Sequence, residues 1–386
     1  MKSDQKRKNK AYYSILGVIF ASFFIVFMIL SLILPDAEIS LREKRLLASA
    51  PALSPNRILD GSFADDFEKY GSDQIPFRDM WTDMKISADT LAGKNESQGV
   101  YRCSDGYLIE KMQEPDPALL EQNMGMVRHL GSLLNVPQTF VMVPNAVSVY
   151  SNKLPAFAVT ADQQAFSAKA SALLSGSQTA YLDLTDLLGS KAGESERLYY
   201  RTDHHWTTYA AMLCAPAVLE SLGASLEEGW MRLPVCDTFT GSLSAKSGFS
   251  AMPDEIDIYV PENESTYLVT GSSGKRASVY SAEGLSGSDP YTVFLGGNEG
   301  YLHIETDNIG AGRVLVFKDS YFNCFLPYML ESFEGIDVID PRYYSDDLLT
   351  LLYQNQYDRV LYFYDMNTFS EDTSLALVLG ELPEEL

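Results

Sequence analysis

The run of apolar and polar positions divides the chain into three regimes. From Ala11 to Pro35 no residue is charged, and Ile15 to Leu34 is apolar apart from serine and one glycine. A run of that length predicts a helix able to cross a hydrocarbon core of roughly 30 Å. Between residues 61 and 93, Phe63, Phe67, Tyr70, Phe77, Trp81, Met84 and Leu91 recur at helical spacing. Gly71 and Pro76 break that stretch into two helices, whose aromatic residues are expected to face a core. From Val100 onward, short apolar runs alternate with amphipathic segments. Thr139–Val143, Ala180–Leu184, Gly312–Lys318, Ile336–Ile339 and Arg359–Phe363 read as buried strands. Helices are predicted over Ala161–Leu174 and from Ala210 to Leu222. Thr207 or Thr208 would cap the latter, Pro216 would kink it and Gly223 would end it. Tyr321–Leu330 also has helical spacing, with Cys324 packed within it. Residues 224–300, rich in Gly, Ser and Asp, read as an antiparallel excursion that includes Ile256–Val260. No internal repeat is visible.

Alternating strands and helices place the chain in the α/β class, as a parallel sheet with flanking helices, preceded by one transmembrane helix. The expected organisation is a basic tail at residues 1–10, a signal anchor at 11–35, a juxtamembrane linker and helices at 36–93, and a catalytic domain at 94–386. Residues 1–10 carry five Lys or Arg against one Asp, which predicts a cytoplasmic N-terminus and an external remainder. A cleaved signal peptide is the alternative, but the apolar run is long and no small-x-small site follows it. The whole chain carries −23; removing the +4 of its first ten residues leaves −27. Such an acidic body lacks the basic footprint of a nucleic-acid-binding protein. Cys103, Cys214, Cys236 and Cys324 are too few for a disulfide framework and have no zinc-site spacing.

Chemistry concentrates in Arg201-Thr202-Asp203-His204-His205-Trp206, which holds two of the four histidines. Imidazole is the usual proton carrier near neutrality, and a nearby carboxylate can fix its tautomer. A metal site on Asp203, His204 and His205 is disfavoured, because adjacent histidines rarely converge on one ion. The partner nucleophile is expected at Ser320, where the strand ending at Lys318 turns sharply through Asp319. An ordinary helix-capping serine is the alternative there.

Asp203-His204-His205-Trp206 together with Lys318-Asp319-Ser320-Tyr321 resembles the DHHW protein family of Gram-positive bacteria. That family looks related to the SGNH-like alginate O-acetyltransferases, which pair Asp-x-His-Trp with a distant serine after a strand. Gly71–Trp81, Val143–Asn145, Asn152–Pro155, Phe294–Asn298 and Asp340–Tyr343 fit as well, so the resemblance spans roughly residues 40 to 386. It implies a flavodoxin-like SGNH sheet and a Ser-His-Asp triad of Ser320 as nucleophile, His205 as base and Asp203 as orienter. The order Asp, His, Ser is the reverse of SGNH esterases. Lys318 replaces the usual glycine, and one residue rather than two separates Asp203 from His205. The expected oxyanion or substrate contacts are Ser320 N–H, Gly297, Asn298 and Arg342, with a surface ion pair the alternative for Arg342.

The function expected from this is a membrane-anchored extracellular O-acetyltransferase or esterase of cell-surface polysaccharide, needing no cofactor and drawing on a membrane acyl-donor partner. Tyr321, Phe322, Tyr343 and Tyr344 are expected to offer aromatic faces to sugar rings. A non-catalytic glycan-binding or assembly protein of the same fold is the alternative.

Overall fold

The structure, a computed structural model, describes residues 2–40, 45–262 and 265–384. Met1 and residues 41–44 of the expected linker lie outside them. The chain forms two compact units, Met1–Lys94 and Asn95–Leu386.

The first unit opens with a helix over Lys2–Ile33, whose Tyr12–Ile33 portion is apolar and unburied. Its 22 residues span about 33 Å at 1.5 Å per residue, enough to cross a membrane and equally the pattern of a signal sequence. Helices Ser62–Asp73 and Arg78–Leu91 follow, separated near Pro76. The expected core forms only in part: Phe63, Tyr70 and Trp81 are half-buried, but Phe67, Phe77, Met84 and Leu91 are exposed. Phe63 instead stacks on Phe67 along the helix surface, at 5.9 Å between ring centres.

The second unit is built on an eight-stranded sheet. Its strands in chain order are β1 (Gln138–Val143), β2 (Thr179–Asp183), β3 (Tyr267–Gly271), β4 (Gly274–Arg276), β5 (Tyr301–Thr306), β6 (Arg313–Lys318), β7 (Gly335–Ile339) and β8 (Arg359–Asp365). The spatial order is β4-β3-β5-β7-β6-β8-β1-β2. The five strands from β7 to β2 are parallel, and β5, β3 and β4 add antiparallel pairs at one end. Part of the expected excursion is thus an extension of the main sheet. The rest, Trp230–Phe239 against Asp254–Pro261, is a separate two-stranded ribbon.

Two cores form on the two faces, and successive residues of one strand feed them in turn. Val314 and Val316 of β6 enter one, Leu315 and Phe317 the other. A parallel strand covered on both sides favours apolar residues at most positions, which is why these segments read as largely apolar runs. Register aligns the carboxyl ends: Lys318 lies opposite Phe363, and Asp365 opposite Val143. The loops starting at Pro144, Asp319 and Asp340 and the helix starting at Met366 therefore leave from one edge, where parallel sheets bind ligands.

Away from that edge, His303 Nδ1 lies 2.8 Å from Asp337 Oδ1, with Glu305 beside its Nε2 at 3.2 Å. The Tyr301 and Tyr357 hydroxyls donate to the same buried Asp337 carboxylate. The hydrogen bond to Asp337 raises the His303 pKa above its usual 6.5, against burial and the Arg313 charge. Charged His303 therefore stabilises the fold fully below pH 6.5, and that stabilisation fades as pH rises through the raised value. Thermal denaturation of His303→Gln beside the parent should give the largest loss of midpoint below pH 6.5 and a smaller gap well above it. A gap that widens with rising pH would contradict this arrangement.

Candidate active site

His205 is held in place by the segment before it. Asp254, fully buried at the start of the ribbon's second strand, accepts from the backbone N–H groups of Arg201 and Thr202 at 3.0 and 2.9 Å and from the Thr202 hydroxyl at 2.7 Å. Thr207 caps the helix Thr208–Ser221 by accepting from Ala210 N–H. Between these anchors Trp206 is fully buried, and its indole N–H donates to the Tyr321 carbonyl at 3.0 Å. That bond ties the histidine stretch to the turn after β6.

The three residues singled out as nucleophile, base and orienter meet there. Asp203 Oδ1 lies 2.5 Å from His205 Nδ1, and His205 Nε2 lies 2.8 Å from Ser320 Oγ. Asp203 also accepts the His205 backbone N–H at 3.0 Å and, through Oδ2, the Ser242 N–H at 2.7 Å. Burial pushes the Asp203 carboxyl up, but the charges of His205 and His204 and these hydrogen bonds outweigh it and hold the group well below its usual range. Burial, with the His204 charge beside it, lowers the His205 pKa against the pull of Asp203. An ionised Asp203 fixes the proton on Nδ1, so neutral His205 presents Nε2 as an acceptor to the Ser320 hydroxyl.

Asp203, His204 and His205 bring three ligand-type atoms within 4.8 Å of one another. They are engaged with protein partners: His204 Nδ1 meets Ser242 Oγ at 2.7 Å, and Asp203 accepts the bonds just described. Tyr291 lies flat on His205, ring centres 3.8 Å apart, and its hydroxyl donates to the Ser320 carbonyl at 3.4 Å.

The segment after Ser320 departs from expectation. Instead of one α-helix, Ser320–Cys324 and Leu326–Met329 are short 3₁₀ turns. Pro327 lacks an N–H, and every residue from Ser320 to Leu330 is buried, so no exposed face gives this segment helical amphipathicity. Tyr321 and Phe322 are fully buried and cannot offer faces to a sugar, whereas Tyr343 is 55% exposed.

Asp319 takes no part in the Ser320–His205 line. Its Oδ1 accepts from Tyr321 N–H at 2.8 Å and its Oδ2 from Asp365 N–H at 2.7 Å. Burial and the facing Asp365 carboxylate raise the Asp319 pKa well above its usual value; burial also pushes Asp365 up, but its hydrogen bonds to Asp319, Thr368 and Asn145 outweigh that and lower it. Asn145 Nδ2 bridges Asp365 at 2.7 Å and the Tyr321 hydroxyl at 3.0 Å, and that hydroxyl donates to the His204 carbonyl.

The expected oxyanion and substrate residues lie at the same edge. Gly297 has a φ of +111°, a conformation that side chains rarely adopt. Exposed Asn298 accepts through Oδ1 from Lys318 Nζ and Asn323 Nδ2, both at 3.0 Å. Arg342 pairs with Asp340 through two bonds of 2.8 and 2.7 Å. Ser320, as the first residue of a 3₁₀ turn, has a backbone N–H without a partner inside that turn.

Sequence reasoning missed Asp254, Gly241, Ser242 and Tyr291. Gly241 donates its N–H to the Thr202 hydroxyl at 2.9 Å. A Cβ on it would fall within 2.7 Å of three Asp203 atoms. Only the Thr-Gly-Ser run at 240–242 and the Asp289-Pro290 turn signal marked these segments, and neither pointed to Asp203 or His205.

Two family models match the chain: the SGNH hydrolase-like domain of acetyltransferase AlgX over residues 107–233, and DHHW protein over residues 181–339. No protein of curated function matches it. Among solved structures, a DHHW family protein from Eubacterium siraeum is 21% identical with a TM-score of 0.62, the match covering 73% of this chain and 95% of that one. PatB1 from Bacillus cereus with a sulfonyl adduct is 19% identical with a TM-score of 0.56, covering 71% and 98%. These likenesses show the SGNH-like fold. The chain is thus similar to DHHW proteins and to SGNH hydrolase-like acetyltransferase domains, the resemblance its Asp-His-His-Trp and Lys-Asp-Ser-Tyr stretches predict.

Proposed function

We propose that this chain is an O-acyltransferase of cell-surface polysaccharide, anchored by its N-terminal helix, with residues 94–386 as the catalytic domain outside the membrane. The observation that carries the reading is the line from Asp203 through His205 to Ser320, 2.5 and 2.8 Å long. Ser320 Oγ attacks the carbonyl carbon of an acetyl donor while His205 Nε2 takes the hydroxyl proton. Asp203 stabilises the imidazolium that results. The carbonyl oxygen becomes an oxyanion facing Ser320 N–H and the Gly297–Asn298 loop. As the donor bond breaks, its leaving group takes the proton from His205, and acetyl-serine remains. A sugar hydroxyl then attacks the ester, giving its proton to His205, and Ser320 Oγ leaves with that proton. Arg342 and exposed Tyr343 are the proposed contacts to the sugar. The acetyl group arrives by way of a membrane partner.

The test is to incubate the full-length chain in detergent with p-nitrophenyl acetate and locate the acyl group by mass spectrometry. Acetyl-Ser320 is expected, and it should be absent in Ser320→Ala. Because PatB1 has been seen with a sulfonyl adduct, a sulfonyl fluoride provides a second probe of the same hydroxyl. No modification by either reagent would leave the alternative of a non-catalytic glycan-binding protein. Acetate release that surface oligosaccharides never redirect, with no acetylated sugar formed, would identify an esterase instead.

The anchor reading has its own check. Protease added to intact protoplasts should digest the body after Pro35. Full protection, or a mature chain beginning well past Pro35, would overturn it.

A further inference from the structure

Lys318 is the least expected residue at this edge. It replaces a glycine in the resemblance, and its side chain is 1% exposed with an ammonium inside. A buried ammonium is tolerated only where its protons meet acceptors. Lys318 has three N–H groups and meets three: Asn298 Oδ1 at 3.0 Å, Asn323 Oδ1 at 2.9 Å and Asp340 Oδ2 at 2.9 Å. Asp340 in turn is clamped by Arg342, so the carboxylate cannot swing away from the ammonium.

This cage has a consequence for Asn298. An ammonium only donates, so the amide atom turned toward Lys318 has to be the oxygen. Asn323 Nδ2 donates to that same oxygen. Two donors on Oδ1 fix the amide against a flip, because the reverse orientation would set NH₂ against two N–H groups. The Asn298 NH₂ is therefore turned outward, away from the cage, on an exposed residue. Its loop begins beside the reacting groups, since Tyr291 stacks on His205 and contacts the Ser320 carbonyl.

We infer that Lys318 is a positioning residue that locks the Asn298 amide with its NH₂ presented to the oxyanion formed at Ser320. The inference rests on the proposed acyl transfer. Glycine in the place of Lys318 would supply flexibility and no donor; lysine supplies a fixed donor that orients a side chain on another loop. The ammonium acts through Asn298 and touches no reacting atom.

A double-mutant cycle on the full-length chain tests this, reading the acetylation rate of Ser320 with p-nitrophenyl acetate. Asn298→Asp keeps both bonds to the cage and puts a charged oxygen that cannot donate where the outward NH₂ stood, so it should stay folded and lose about 10²-fold or more in rate. Lys318→Met should cost about 10-fold or more in kcat with KM little changed, and should cost nothing further when Asn298 is already Asp. Asn323→Ala, which removes one of the two donors, gives a milder loss with the same silence in the Asn298→Asp background. That variant carries the test if Lys318→Met does not fold. Losses that multiply in full, or unchanged kcat in both cage variants, overturn the inference while acetyl-Ser320 still stands. Absence of acetyl-Ser320 in the parent chain overturns the acyl-transfer reading itself.

Discussion

His205→Ala is expected to lower the rate of the proposed Ser320 acetylation by ~10³-fold or more, the usual cost of losing one member of a serine triad, while His204→Ala should cost far less. Both rings stand beside Asp203, but only His205 reaches Ser320, at 2.8 Å. His204 is 3.5 Å from the carboxylate and spends its Nδ1 on Ser242. The two differ in pH dependence as well. Burial lowers the His205 pKa below 6.5, and the His204 charge lowers it further. The parent rate should therefore rise with pH along an acid limb centred below 6.5 and level off above it. His204→Ala removes one of the lowering influences, so its limb should move toward higher pH. Single-turnover acetylation across a pH series measures both. Equal losses from the two alanine variants would sink the assignment of roles.

Gly241→Ala is expected to be nearly as damaging, though Gly241 has no side chain and takes part in no chemistry. The added methyl would overlap Asp203, whose Cβ, Cα and Oδ2 all lie within 2.7 Å of its position. Asp203 cannot retreat easily, because it holds His205 on one oxygen and Ser242 N–H on the other. Overpacking of this kind costs about 1–3 kcal/mol in stability. A shift of about 1 Å in a positioning group can cost ~10²-fold in rate. Thermal denaturation and the acetylation assay measured together should detect both. A Gly241→Ala protein with the parent rate would mean that Asp203 tolerates displacement.

What could be read in the sequence follows from how local each signal is. The apolar run to Pro35 and the β1, β6, β7 and β8 strands are encoded in consecutive residues, because a strand covered on both faces is filled mostly by apolar side chains. Ser320 was visible as a serine at an abrupt strand end, and Asp203 with His205 as a carboxylate two residues from an imidazole. Their supports were not visible. Asp254, Gly241 and Tyr291 matter because tertiary structure brings them to Thr202, Asp203 and His205, and single residues of those types are common. The segment after Ser320 misled because helical spacing of aromatics is indistinguishable from a run in which every position is buried. The helices at Ser62–Asp73 and Arg78–Leu91 misled in the opposite sense: of their periodic residues, Phe67, Met84 and Leu91 are exposed and Phe63, Tyr70 and Trp81 only half-buried.

The strand order constrains how the polypeptide can reach its folded state during synthesis. β1 lies between β2, which follows it soon, and β8, which is separated from it by more than half of the sheet's sequence. Until residues 359–365 have left the ribosome, β1 has one open edge of unpaired N–H and C=O groups along a segment that is buried throughout in the finished domain. β6 waits for the same strand on one side. Exposed apolar edges of this kind recruit other chains, and long-range parallel pairing is slow. The nascent chain therefore meets its greatest aggregation hazard late, and β8 relieves it by bridging β6 and β1 in one step. The same event brings Asp365 against Asp319, completing the support beneath Ser320. Closure of the sheet and completion of the support beneath Ser320 thus arrive together, with β8.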